Sequence, residues 1–421
     1  MFKKTIILTA ADTLSKILGL LLIPLFLNFM PKEDFGEYSF IIVVIASLPT
    51  LITLGLHVSL VKEFCSESDI SSQRNIFSST LIIALIFSSC LSFFLYSLGV
   101  IGYAFDLFFS INQNSEIKEL LFSFYIVSSC IGLILYSLAL SLKNVKTLIF
   151  FSSVKVILIN GAGIFFLKIG FSDDTSLSRL LGTVIGDVVS NMLFFFIFCR
   201  KFWVWKFDNK YLVKALNLGY PLIPAGIAVL ISSSSDRYFI NKYYDNTYVA
   251  EYSLAMLCVS PIHMIMTSAQ TVLAPIVLSF KNNTEEYQFS IKFFIKFLFL
   301  LIPIIFLIQG VIYLARLYSL IPSFYEYLNL FSLLLSFQTA TFVFLQVPYN
   351  IFIKHNKSKY IAFVSIGSAL FTVLTGYFTT PLFGLNGLMI SNSCINFFFL
   401  IGCFAIAKKI AMSNEMHQVV V

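Results

Sequence analysis

The sequence predicts an all-α polytopic membrane protein, with about twelve transmembrane helices in two pseudo-symmetric six-helix lobes around a central cavity. Three observations carry that prediction: the composition, the spacing of the apolar runs, and an internal repeat. Only 12% of the 421 residues are charged and 58% are hydrophobic, with a mean hydropathy of +0.90. A water-soluble chain would carry about 25% charged residues. So few charges cannot solvate the exterior of a protein this size, so much of its surface must face lipid.

A helix that spans a bilayer needs about 20 largely apolar residues. On that measure the chain offers spans near 5–30, 38–61, 76–103, 118–142, 147–168 and 179–199. A second set lies near 214–238, 249–279, 290–315, 327–352, 360–380 and 386–407. The long segment 249–279 is expected to tilt, or to kink at Pro261 or Pro275. The opening Met1-Phe-Lys-Lys resembles the start of a signal peptide, but its apolar stretch runs to Met30 through Asp12 and Lys16. An uncleaved first helix is the expectation.

The net charge of +7 is spread over short connectors rather than gathered in a patch, which argues against nucleic acid as a partner. With the N-terminus inside, inward connectors hold seventeen Lys and Arg residues. Outward connectors hold seven: Lys32, Lys118, Lys168, Arg179, Arg237, Lys242 and Arg316. That bias predicts an even number of spans with both termini cytoplasmic. The seven cysteines are odd in number, lie mostly in apolar segments and show no metal-ligand spacing, so they read as small buried hydrophobes.

The longest polar stretch between spans, Arg200–Lys214, contains both tryptophans, Trp203 and Trp205, and divides the chain into lobes at 1–203 and 204–421. An internal repeat supports the division. Phe35-Gly-Glu-Tyr-Ser39 matches Val249-Ala-Glu-Tyr-Ser253 at an offset of 214, each before the second helix of its lobe. Gly182, Ile185 and Asn191 match Gly387, Ile390 and Asn396 at an offset of 205, each in a sixth helix. Six helices per lobe give both copies the same membrane orientation, and the cleft between them is the expected substrate site.

No phosphate-binding Gly-rich loop, HExxH or GxSxG is present, and no outward connector is long enough for a catalytic domain, so the chain does not read as an enzyme. The informative residues are ionisable ones inside spans, each costly there unless paired or facing water. Lys16 and Lys155 sit near mid-span, and Arg237 follows a loosened seventh helix that runs from Pro221 and Pro224 to Ser232-Ser-Ser-Ser-Asp236. These three are the candidate cavity-lining, substrate-binding residues, with Asp12, Asp187 and Asp236 as supporting charges and no metal site. Two readings stay open for the set. It lines a cavity, or Asp12–Lys16 and Lys155–Asp187 are internal ion pairs that hold the first lobe together. Lys292 and Lys296 share a face near the inner end of the ninth helix, where snorkelling to lipid phosphates suits them. His57 and His263 could relay protons or simply bridge helices.

Several of these residues carry a resemblance. Phe35-Gly-Glu-Tyr38 after a broken first helix, Gly219-Tyr-Pro-Leu-Ile-Pro224, Asp236-Arg-Tyr-Phe-Ile240 and Ala250-Glu-Tyr-Ser253 resemble the polysaccharide transporter family, in particular the O-antigen flippases. These belong to the multidrug/oligosaccharidyl-lipid/polysaccharide exporter superfamily. Ala250 departs from the glycine frequent there. The resemblance implies alternating access in a bacterial inner membrane and an undecaprenyl-pyrophosphate-linked repeat unit, carried to the periplasmic leaflet for O-antigen or lipopolysaccharide biosynthesis. It implies no cofactor beyond coupling to a H+ or Na+ gradient. Its partners would be membrane lipids, the lipid-linked glycan, and the polymerase and chain-length regulator of the pathway. An ion-coupled small-molecule or multidrug exporter on the same fold is the alternative.

Overall fold

The structure, a computed structural model, describes residues 22–418 apart from 68, 110–114, 143–144, 220–222, 281–282, 356 and 358. Among the described residues the chain is helical, with no strand. In the first half, α1 (Ile23–Phe29) leads into α2 (Lys32–Ile52), α3 (Leu56–Ser66), α4 (Ile70–Ser97), α5 (Val100–Phe109), α6 (Ser115–Ser141), α7 (Val145–Ile169) and α8 (Thr175–Phe194). Then come α9 (Asn209–Gly219), α10 (Ile223–Tyr243), α11 (Asn246–Ser279), α12 (Asn283–Leu317), α13 (Leu328–Phe344), α14 (Gln346–Lys354) and α15 (Lys359–Gln418).

Nine helical segments among the described residues are long and apolar enough to cross a membrane. The last of them holds two predicted spans. Gly384 breaks it at φ 70°, a conformation that any side chain would strain. Conversely, α10 is not among the nine, because the run Ser232–Arg237 dilutes its apolar character. The second and tenth predicted spans are each two helices end to end, α2 with α3 and α13 with α14.

Aspartates start several helices by taking up otherwise unpaired backbone N–H groups. Asp69 accepts from the Ser72 N–H at 3.1 Å, Asp174 from Leu177 at 3.0 Å, Asp208 from Tyr211 at 3.1 Å and Asp245 from Tyr248 at 3.1 Å. Large apolar side chains such as Phe93, Phe306 and Phe398 stand exposed, as a lipid-facing surface requires.

The helices pack into two compact units. One is drawn from Leu14–Ser234 with Tyr244–Ala250, the other from Ser235–Tyr243 with Glu251–Val421. The 203/204 division remains a proposal about the repeat. By packing, α9 and α10 as far as Ser234 count with the first unit. There α9 lies on α3 and α4, with Ser59 Oγ donating to Ala215 O at 3.0 Å and Lys214 paired with Glu63 at 2.5 Å.

A very close helix approach in the first unit is that between α7 and α8. A Cβ on Gly182 would lie 2.5 Å from Gly163 Cα, and one on Gly186 would lie 2.5 Å from Ile159 Cα. Gly182-Thr-Val-Ile-Gly186 is thus a small-residue stripe that lets two backbones touch where lipid offers no hydrophobic driving force. In the second unit, α13 and α12 pack on α15, and Lys354 joins Glu286 at 2.5 Å and Phe280 O at 2.8 Å.

Candidate functional site

Both copies of the Glu-Tyr repeat do the same two jobs, one in each unit. Glu37 pairs with Lys118 Nζ at 2.5 Å, at the start of α6. Glu251 accepts the Tyr327 N–H at 3.3 Å, at the start of α13. Each glutamate thereby pins its helix to the beginning of a later one. The neighbouring tyrosines turn inward. Tyr38 Oη meets Thr183 Oγ1 at 2.9 Å, and Tyr252 Oη donates to Asp236 Oδ2 at 2.5 Å. The repeat read from sequence is therefore a repeat of contacts. Gly36, before Glu37, fits where no larger residue would, because a Cβ there would lie 1.9 Å from Asn246 O, within the first unit.

The polar interior of the first unit centres on Asp187. Its Oδ1 is 2.6 Å from Lys155 Nζ, and its Oδ2 accepts from Ser128 Oγ at 2.5 Å and Asn191 Nδ2 at 3.0 Å. Gly132 on α6 makes room, since a Cβ there would lie 3.0 Å from Lys155 Nζ and 2.9 Å from Asn191 Oδ1. Asp187 is fully buried, whereas the Lys155 side chain keeps 27% of its surface open. A carboxylate alone at that depth would be untenable, and Lys155 compensates it while keeping access to the outside of the unit.

Two turns toward the start of α8, Arg179 is buried with a different solution. Its Nη1 donates to Ile159 O at 3.0 Å and its Nη2 to Asn160 Oδ1 at 2.9 Å, while the guanidinium stacks 3.9 Å above the Phe26 ring and 5.2 Å from Tyr38. Among the described residues no carboxylate pairs with it. Backbone carbonyl, amide oxygen and aromatic faces take the place of a counter-ion.

In the second unit the carboxylate is Asp236, on α10. It accepts from Tyr252 Oη at 2.5 Å, Gln338 Nε2 at 3.1 Å and Asn392 Nδ2 at 2.6 Å, all neutral donors. Arg237 is also buried. It points elsewhere, with Nε donating to Ser253 Oγ at 3.1 Å and the guanidinium 5.3 Å from the Tyr252 ring. Asn392 stands 205 residues after Asp187, as Asn396 does after Asn191. The repeat therefore places a polar pair at the same spot in both sixth helices, with the charge moved from the sixth helix of one half to the seventh helix of the chain.

Of the sequence candidates, Lys155 and Asp187 form one site and Asp236 and Arg237 belong to another. Lys16 and Asp12 lie outside the described residues. Three residues counted as outward connector charges, Lys118, Arg179 and Arg237, are buried inside the helices. Each finds polar partners there. Sequence reasoning missed Arg179, although Arg179, Thr183, Asp187 and Asn191 recur every four residues and so share one stripe of α8. It also missed Ser128, whose residue type carries no such signal.

Lys118 is only 2% exposed and also contacts Asp174 at 2.7 Å. Burial works to raise the Asp174 carboxyl, but the Lys118 hydrogen bond, the Leu177 N–H and the lysine charge outweigh it and hold it below its ordinary value of 3.8. This contribution to stability is present above that value and fades as pH falls through the lowered one. Lys118→Ala leaves two half-buried carboxylates without a cation, and is expected to cost about 3 kcal/mol. The gap to the wild type should shrink below about pH 4 as both carboxyls protonate in the variant and the wild type loses its pair. Thermal unfolding in detergent across pH reads this out; a gap constant down to about pH 3 would mean the triad contributes no net electrostatic stability.

Comparison with known proteins gives this geometry its context. The profile of the family described as polysaccharide biosynthesis protein matches residues 1–281, about two thirds of the chain. No curated protein sequence matches. Among solved structures, the lipid II flippase MurJ in an inward closed conformation aligns at 16% identity over 98% of this chain and 90% of that one, with a TM-score of 0.69. A multidrug resistance MATE family transporter of the MOP superfamily, in an inward-facing conformation, aligns at 14% over 98% and 94%, with a TM-score of 0.65. A point mutant of the Vibrio cholerae MATE transporter VcmN aligns at 16% over 98% and 96%, with a TM-score of 0.64. At these identities the likeness is one of fold, an all-helical membrane architecture in two lobes.

Proposed function

The chain belongs to the polysaccharide biosynthesis protein family, and from that premise we propose that it flips an undecaprenyl-pyrophosphate-linked oligosaccharide, an O-antigen repeat unit or similar, from the cytoplasmic to the periplasmic leaflet by alternating access. The observation that carries the reading is Lys155, a lysine well inside α7 that is bound to a buried carboxylate and still partly open. A pyrophosphate cannot enter hydrocarbon unless fixed cations compensate it. Lys155 has the right sign and depth, and its pairing with Asp187 holds it in place until an anionic headgroup competes for it. Lys16, outside the described residues, would serve the same end. Arg237, held by Ser253 and the Tyr252 ring, would tune the second unit. A H+ or Na+ gradient would drive the cycle, and the polymerase and chain-length regulator of the pathway would receive the product. The setting is the bacterial inner membrane with both termini cytoplasmic, which reporter fusions after Val421 and within 244–248 would check.

The experiment is deletion of the gene in its native strain. Loss of surface glycan, with lipid-linked oligosaccharide accumulating beyond the reach of periplasmic enzymes, is the expected result, restored by the wild-type chain. Unchanged glycan together with increased sensitivity to cationic drugs would instead favour the multidrug exporter reading.

A further inference from the structure

The connector after α8 is built more firmly than a linker needs to be. A π-turn at Phe195–Cys199 and a 3-10 turn at Arg200–Phe202 carry the chain out of the span. The next residues are then fastened to α4 by two adjacent buried hydroxyls. Ser78 Oγ accepts the Val204 N–H at 2.9 Å, and Ser79 Oγ accepts the Asp208 N–H at 2.9 Å. One position further on α4, Thr80 Oγ1 meets Tyr211 Oη at 2.9 Å. Three consecutive polar residues on a membrane helix thus hold one surface segment in place.

What that segment displays is cationic and aromatic. Arg200, Lys201 and Lys206 are exposed, and among the described residues none has a carboxylate within ion-pair distance. The one acid of the stretch, Asp208, is committed to the Tyr211 N–H at the start of α9. Trp203 and Trp205 stand edge to face at 5.2 Å, and Trp205 is 86% exposed. Beside them a cavity of about 420 Å³ is lined by Asn75, Lys206, Phe207, Asp208 and Asn209. Indole rings settle at the headgroup level of a bilayer, and uncompensated cations there attract lipid phosphate.

We propose that this fastened segment is a binding site for the headgroup of an anionic membrane phospholipid, its phosphate held by Lys206 with Arg200 and Lys201 and its acyl chains beside Trp205. The occupant is a bilayer lipid rather than the transported one, because the cations lie at the end of a span and not along its depth. The site would hold whatever the cargo is.

The chain has two tryptophans, both in this segment, so intrinsic tryptophan fluorescence reports on it alone. The full-length protein is reconstituted into phosphatidylcholine vesicles that contain a minor fraction of either brominated phosphatidylglycerol or brominated phosphatidylcholine. Quenching by the brominated anionic lipid should exceed that by the zwitterionic one about twofold or more at equal mole fraction. The excess should vanish in about 1 M NaCl and in the R200Q/K201Q/K206Q variant. Equal quenching by both lipids in the wild type at low salt overturns the proposal without reference to any variant. An excess that survives in the triple variant overturns the assigned residues. Relief of quenching by trace undecaprenyl phosphate would make the cargo lipid the occupant and refute the commitment to a bilayer lipid. A protein that fails to export glycan yet shows the excess would separate this site from the proposed function.

Discussion

A strain that carries Lys155→Met together with Asp187→Asn will hold near-normal levels of the protein and export almost no glycan. Lys155→Ala alone does something different. It leaves the Asp187 carboxylate fully buried with only Ser128 and Asn191 to serve it. Breaking a buried pair from one side costs about 3–5 kcal/mol, a large share of the roughly 5–15 kcal/mol that holds a domain together. Abundance should fall, and lost export would then say nothing about cargo. The double variant removes both charges at similar volume. The amide at 187 can still accept the Ser128 hydroxyl, and a methionine at 155 fills the lysine's path beside the Phe151 ring, now 5.7 Å from Nζ. Replacing a buried pair this way is often neutral for stability. What it cannot replace is the cation. Lys155→Arg should keep partial export, since a guanidinium also meets pyrophosphate. Surface glycan measured against protein level decides: wild-type export from the double variant would assign the pair to holding α7 and α8 together and nothing more.

The membrane architecture was legible in the sequence because the physics behind it is coarse. Span length and charge exclusion act on about twenty residues at a time, so single positions cannot hide them. The Glu-Tyr repeat was legible for a related reason: each copy anchors its helix to the start of a later one and gives its tyrosine a polar partner, so the residue pair recurs although the partners differ. The sequence offers Lys155–Asp187 as a pair in one of its two open readings, since two opposite charges at similar depth have few other choices, and the structure brings the two together. What could not be read was which charges near span ends turn inward. Lys118 and Arg179 look like loop residues by position, and their burial depends on Asp174, Asn160 and Gly163, which lie far from them in sequence or carry no charge. Arg237 shows the same limit. Adjacency in sequence makes Asp236 the obvious partner, but consecutive helical residues point about 100° apart, and the Asp236 carboxylate accepts from Tyr252, Gln338 and Asn392.

Gly163→Ala should be strongly destabilising, and Arg179→Met should rescue it. A Cβ on Gly163 would lie 1.6 Å from Arg179 Nη1 and 2.7 Å from Cζ, and its three nearest atoms all belong to that one side chain. The methyl must therefore expel the guanidinium from Ile159 O and Asn160 Oδ1, its two hydrogen-bond acceptors, and from its stack on Phe26. The carboxylates of the unit's interior are already engaged, Asp187 by Lys155 and Glu37 and Asp174 by Lys118, so a displaced cation gains no new partner and the cost is about 3 kcal/mol or more. Arg179→Met alone empties the slot of charge. Ile159 O keeps its helical environment and only Asn160 loses a partner, so the cost should be near ~1 kcal/mol. With methionine at 179 the obstructing head is gone, and a flexible thioether that can give way stands in its place beside the alanine methyl at 163. The double variant should unfold close to Arg179→Met, a coupling of about 2 kcal/mol, far beyond the additivity expected of independent sites. Detergent melting curves of the four proteins measure it. If the two losses simply add, the glycine is maintaining helix contact with α8 rather than housing the arginine, and Arg179 has been assigned the wrong neighbour.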